Sequence, residues 1–204
     1  GGLVYYGGLA GGILAIYLYS SIKGVSLLGI FDAAAPCVAL GEGIARIGCL
    51  IAGCCWGCIT SVPWAIHFPN PSHAFQAQAS LYMVEVSQRQ SLPVHPTQLY
   101  MILGTVAITG YLLLLERQKK NNGQLFFAYL LSYGVIRGIV EIFRDAAHGG
   151  DSVRIFGWLT VSQIISIGLI ALGGYGLHLL HKRITCVNHI PLENKGINDE
   201  IEVK

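Results

Sequence analysis

Residues 26–52 read SLLGIFDAAAPCVALGEGIARIGCLIA. A helix needs roughly 20 largely apolar residues to cross a bilayer, and this stretch exceeds that while carrying Asp32, Glu42 and Arg46. A charge near the bilayer centre costs at least about 2.5 kcal/mol, so such residues turn toward a protein interior. The stretch therefore predicts a membrane-spanning helix with one polar face. Pro36 removes a helical donor and is expected to kink or divide it.

The rest of the chain agrees with lipid as the solvent. Of 204 residues, 53% are hydrophobic and 12% charged, against roughly 25% charged in an average soluble domain. A net charge of +2 gives no footprint for a nucleic-acid partner. Further apolar stretches at 3–19, 98–115, 125–143 and 155–180 bring the expected total to about five spans, an all-α polytopic membrane bundle. In the first of these, Gly7, Gly8, Gly11 and Gly12 form a flat strip that invites close approach of another helix.

Residues 54–96 break the apolar pattern with prolines, polar residues and His67, His73 and His95, which reads as an extramembrane arm. Within it, 76–86 has the look of a short strand or hairpin. Residues 1–183 are read as one integral membrane domain and 184–204 as a polar tail, with 193–204 expected to be disordered. Because the chain opens on Gly1 and runs straight into an apolar stretch, it reads as a fragment or a trimmed product rather than a whole reading frame, and with no basic lead no cleavable signal peptide is visible in it.

Cytoplasmic loops retain positive charge. Lys23, then Arg117, Lys119 and Lys120, then Lys182 and Arg183 fall on one side if the spans alternate, which places the N-terminus and the arm outside. Glu42, Arg46, Cys49 and Gly53 recur at helical spacing, as do Tyr133, Arg137, Glu141 and Arg144. Both helices run outward in this topology, so the two stripes are expected to meet at one depth, with Tyr6 near the same level. A guanidinium fork there suits a phosphodiester, to which it donates two parallel hydrogen bonds. The plainer alternative is a pair of structural ion pairs, Arg46 with Glu42 and Arg137 with Glu141.

Cys49, Cys54, Cys55 and Cys58 crowd the same end. Such thiols can form disulfides, bind a soft metal, carry an acyl or alkyl group, or serve as small apolar residues. Cys55 and Cys58 make one C-x-x-C pair with no second pair following, a weak signature for structural zinc.

Four short segments occur in a fixed order: GLVYYGGL at 2–9, GEGIARIGCLIAGCCWG at 41–57, HPTQLY at 95–100 and YGVIRGIVEIFR at 133–144. Together they resemble the prolipoprotein diacylglyceryl transferase family over nearly the whole chain. The resemblance implies seven helices, so that about two precede those present here. It implies transfer of the diacylglyceryl group of phosphatidylglycerol to the lipobox cysteine in the signal peptide of a prolipoprotein. The setting it implies is the bacterial inner membrane, with the site toward the periplasmic face and no metal or organic cofactor. Arg46 and Arg137 match the family's functional arginines and Tyr133 its neighbouring tyrosine, while Gly57 falls on a motif glycine. Glu141, Arg144 and Gln98 belong to the same motifs and are expected at the substrate.

The chain departs from the family pattern where a His-Gly-Gly motif carries Tyr6 instead, a poor base with a pKa near 10. Cys49 stands where Asn is usual, Cys54 where an acid is usual and Met101 where Glu is usual. His95 can replace the missing base or cap the start of the third span. Two other readings follow from these departures: a lipid-binding paralogue without chemistry, and a thiol-redox or metal-handling membrane protein.

Overall fold

A computed structural model of the protein describes residues 2–144, 154–155 and 159–188. The order is α1 (Gly2–Lys23), α2 (Leu27–Ala52), α3 (His73–Ser80), α4 (Thr97–Glu116), α5 (Gln124–Ile142), β1 (Arg154–Ile155), β2 (Leu159–Thr160) and α6 (Val161–Asn188). The two strands are two residues each and pair antiparallel, so the architecture is helical throughout. Among the described residues, α2, α4, α5 and the part Val161–Lys182 of α6 are long and apolar enough to cross a membrane. Helix α1 covers the first expected span. The chain is a multi-pass membrane protein.

The outer surface of the bundle is apolar. Ile51 is 82% exposed and Leu103 69% exposed, an arrangement that water would penalise and acyl chains do not. Buried contacts are small or aliphatic: Ala35, Ala39, Ile108, Leu112, Leu125 and Ala128 join α2, α4 and α5.

Several expectations are corrected. Of the two outcomes expected at Pro36, a kink or a division, the division does not occur: Pro36 lies inside a continuous α2. Residues 76–86 form no strand or hairpin. Ser72 instead caps α3 by accepting from the Phe75 amide at 3.2 Å, a side-chain cap that starts the helix. The last helix begins at Val161, directly after β2, rather than at 155. It continues past Arg183 to Asn188, and residues 189–204, which include the expected tail end, lie outside the described residues. A Cβ placed on Gly7, Gly11 or Gly12 would meet nothing within 4 Å, so that strip receives no helix among the described residues. On the Gly12 side a groove of about 380 Å³ opens between α1, α2 and α5.

Helices α2 and α5 run parallel in a fixed register. Asp32 accepts from the Gly123 amide at 2.7 Å and Glu42 from the Tyr133 hydroxyl at 3.4 Å, each pair separated by 91 residues. Arg46 and Arg137 are separated by the same interval, 137 − 46 = 91. At the opposite end from the arginines, Asp32 also accepts from the Phe126 amide at 2.8 Å and pairs with Lys119 at 2.9 Å. Its carboxylate thus satisfies the open donors that begin α5.

Candidate functional site

The site starts from how α2 ends. Gly53 adopts a left-handed φ of 65°, available to glycine at little cost. Its amide donates to the Leu50 carbonyl at 3.2 Å, and the Cys54 amide donates to the Cys49 carbonyl at 3.1 Å. These two bonds are the Schellman termination, which sets the second residue past the helix against the residue five before it. Helix α3 docks on the same terminus: His73 Nδ1 lies 2.9 Å from the Ala52 carbonyl oxygen, and the Ala74 amide donates to the Gly53 carbonyl at 2.9 Å.

From Cys54 the chain enters a narrow backbone sandwich. The Gly57 amide donates to the His95 carbonyl at 3.0 Å, and the His95 amide donates to the Cys58 carbonyl at 3.0 Å. On the other side, the Cys58 amide donates to the Phe143 carbonyl at 2.8 Å, and Gly57 bridges Arg144. A Cβ on Gly57 would collide with the Phe143 carbonyl oxygen and lie 2.7 Å from the His95 Cβ. Glycine is required because the backbones approach too closely for any side chain. This sandwich fixes Arg144, at the end of α5, against the start of α4.

Helix α4 contributes the next pair. Thr97 Oγ1 donates to the Cys55 carbonyl and Gln98 Nε2 to the Cys54 carbonyl, both at 2.6 Å. The HPTQ segment therefore holds the turn after α2 by its carbonyls. Gln98 is buried, and its Oε1 has no hydrogen-bond partner.

Arg46, Arg137, Arg144, Gln98, Thr97 and Cys55 line one cavity, with Met101 and Val140 as its apolar part. Arg46 reaches a single Glu42 oxygen through Nε at 3.2 Å and through a terminal nitrogen at 2.7 Å. Arg137 donates to Glu141 at 2.7 Å and to the Ser162 hydroxyl of α6 at 2.8 Å. Arg144 lies 3.7 Å from the same Glu141 oxygen, and its buried Nε has no partner among the described residues. Among the described residues, three guanidiniums thus face two carboxylates, an excess of positive charge. The free space is about 10 Å³, room for roughly one water.

The two readings of the arginine stripes coexist in this geometry: both ion pairs form, and both arginines also line one cavity. Glu141 accepts directly from Arg137, while Tyr133 donates to Glu42, the partner of Arg46. Gln98 is at the cavity, while Gly57 belongs to the backbone sandwich beside it. His95 is not among the lining residues. Its Nδ1 lies 3.1 Å from the Tyr100 hydroxyl, which accepts from Trp64 Nε1 at 2.7 Å, and its ring packs on Phe143. Nor does its side chain cap α4, which begins without a side-chain cap. Tyr6 lies on α1, and its side chain is outside the described residues.

Of the four clustered cysteines, Cys49, Cys54 and Cys55 come together, with sulfurs all within 4.8 Å of one another. Cys58 is drawn into the backbone sandwich, so the C-x-x-C pair is not the spatial one. None of them is in a disulfide. Burial, then the neighbouring Cys55, pushes the Cys54 thiol up to about 12. Burial also raises Cys55, against the opposing pull of Arg144 and Arg46.

Thr97, Ser162 and Glu42 were not singled out as site residues from the sequence. Glu42 was legible as an intramembrane charge and Thr97 as part of HPTQLY. Ser162 gave no signal, because one serine in an apolar span is ordinary.

Residues 1–179 match the family model described as prolipoprotein diacylglyceryl transferase. A relative from Clostridium tetani named phosphatidylglycerol–prolipoprotein diacylglyceryl transferase is 34% identical over 172 residues, 84% of this chain and 61% of that protein. Relatives of the same name from Idiomarina loihiensis and Pseudomonas paraeruginosa are 36% and 33% identical, covering 83% and 85% of this chain and 59% and 58% of their own lengths. The chain spans about three fifths of the length of these relatives.

Proposed function

The chain belongs to the prolipoprotein diacylglyceryl transferase family, and from that membership we propose that it takes part in moving the diacylglyceryl group of phosphatidylglycerol to the lipobox cysteine of a prolipoprotein. The observation that carries this reading is the convergence of Arg46, Arg137 and Arg144 on one cavity with more cation than anion. In the reaction the cysteine sulfur attacks a glyceryl carbon, the carbon–oxygen bond to phosphate breaks and glycerol phosphate leaves with one more negative charge. Fixed guanidiniums stabilise that developing charge. Arg46 and Arg137 hold the phosphate, and the unpartnered Arg144 Nε and Gln98 Oε1 supply a donor and an acceptor for the rest of the headgroup. His95, which stands outside the cavity with its Nδ1 on the Tyr100 hydroxyl, takes the thiol proton once the lipobox peptide is seated beside it. The site faces the periplasm from the inner membrane.

A cavity with room for one water admits a phosphate only when the arginines exchange Glu42 and Glu141 for the lipid. That closed arrangement also fits a second reading, an anionic-lipid binder that does no chemistry. The test incubates the full chain with phosphatidylglycerol vesicles and a lipobox peptide and looks for the diacylglyceryl mass on the peptide. Transfer is expected, and Arg137→Ala should slow it by about 10²-fold, the scale of losing one charge-stabilising donor. Phosphatidylglycerol binding with no mass gain would leave the second reading standing in place of the first.

A further inference from the structure

Three thiols gather at the end of α2, beside the arginine cavity. Cys49 and Cys54 occupy the two positions that a Schellman termination sets against each other. Cys55 has a φ of 59°, a left-handed conformation uncommon for a residue with a Cβ, and its carbonyl is held there by Thr97. The result is three sulfurs from three fixed backbone positions, each within 4.8 Å of the others. Three thiolates at about 2.3 Å from one zinc ion stand about 4 Å apart, so closure needs movements of under about 1 Å.

We propose that Cys49, Cys54 and Cys55 form a binding site for one thiophilic metal ion of the zinc(II) class. Each thiol gives up its proton to solvent as its sulfur binds, leaving a tris-thiolate complex of one net negative charge. Arg46 and Arg144 already act electrostatically on Cys55 and compensate that charge. Soft thiolates select such ions over magnesium or calcium. Cys55 also lines the arginine cavity, which places the ion at the cavity's edge with a coordination position to spare. The inference stands on the sulfur geometry and not on the transferase reading.

The test uses the reduced, metal-free full chain in detergent or nanodiscs, titrated with Co²⁺ and then with Zn²⁺. One equivalent of Co²⁺ is expected to give a sulfur-to-cobalt charge-transfer band that Zn²⁺ abolishes, with binding that strengthens as pH rises. Cys49→Ser, Cys54→Ser and Cys55→Ser should each weaken Zn²⁺ binding by at least about 100-fold, the upper end of what even outer-shell changes produce. Cys37→Ser and Cys58→Ser should leave it unchanged. Absence of the band in the wild-type chain overturns the proposal whether or not the variants fold, and so does a dependence on Cys58 in place of Cys49. Loss of diacylglyceryl transfer has no bearing on these readouts.

Discussion

The side-chain amide of Gln98 donates to the main-chain carbonyl of Cys54 at 2.6 Å, joining the start of α4 to the turn that ends α2. Thr97 does the same for Cys55 one residue earlier. Neither bond touches the arginines, yet both fix where the cavity wall stands.

Thr97→Val keeps the shape of the side chain and leaves the Cys55 carbonyl without its donor. Losing such a hydrogen bond costs about 0.5–1.5 kcal/mol. Thermal unfolding in detergent should show a lower midpoint for Thr97→Val, while Thr97→Ser, which retains the hydroxyl, should recover most of the loss.

Gly57→Ala puts a methyl group against the Phe143 carbonyl oxygen and the His95 Cβ. Overpacking of this kind costs about 1–3 kcal/mol, and its relief moves the backbone segment around Gly57 that bridges Arg144. Loss of phosphatidylglycerol binding is therefore expected alongside the stability loss, although Gly57 lines no part of the cavity. Equilibrium lipid binding measured well below the unfolding temperature separates the two effects.

Asp32 holds the other end of the bundle. It has three partners, whereas Lys119 has this carboxylate and partial access to solvent. Asp32→Ala strips the start of α5 of two acceptor contacts, at about 1–3 kcal/mol, and should destabilise more than Lys119→Ala. Fourteen helical residues place Asp32 roughly 21 Å along α2 from Arg46, so neither variant should change the phosphate affinity of the folded protein. Urea titration with a helical probe and a lipid-binding isotherm test the two statements.

The Cys54 thiol, raised from an ordinary 9.0 to about 12, should react slowly with a maleimide at neutral pH. Its alkylation rate should keep climbing above pH 9, where an ordinary thiol levels off. Because the folded protein holds this proton more tightly than the unfolded chain, the stabilisation is present below about pH 9 and is lost as pH rises toward 12. Following alkylation of Cys54 by mass spectrometry between pH 7 and pH 11 checks the rate, and a plateau near pH 9 would contradict the burial described for it.

Much of the bundle could be read directly. The apolar lengths around Ile102 and Leu130 give α4 and α5 to within a residue at each end, because span length follows from bilayer thickness. The arginine stripes were legible too, since i, i+4 spacing puts Glu42 with Arg46 and Arg137 with Glu141 on one helix face each. Residues 76–86 misled: the Ser72 cap and the docking of α3 on α2 make 76–80 the end of a helix, and 81–86 follow as turns. Glycine spacing in α1 announced a contact that no described helix makes, because a flat strip permits close approach without supplying a partner.

Composition and periodicity by themselves determined a multi-pass helical protein with two arginine-bearing helices. Those properties depend only on local spacing and on the apolar length needed to replace water with lipid. Tertiary structure alone decided that the same interval of 91 residues aligns Asp32 with Gly123, Glu42 with Tyr133 and Arg46 with Arg137. It also decided which cysteines meet, since a left-handed turn can set Cys49 beside Cys54 and leave Cys58 elsewhere. Such relations depend on backbone hydrogen bonds between segments far apart in the chain, which no reading of neighbouring residues contains.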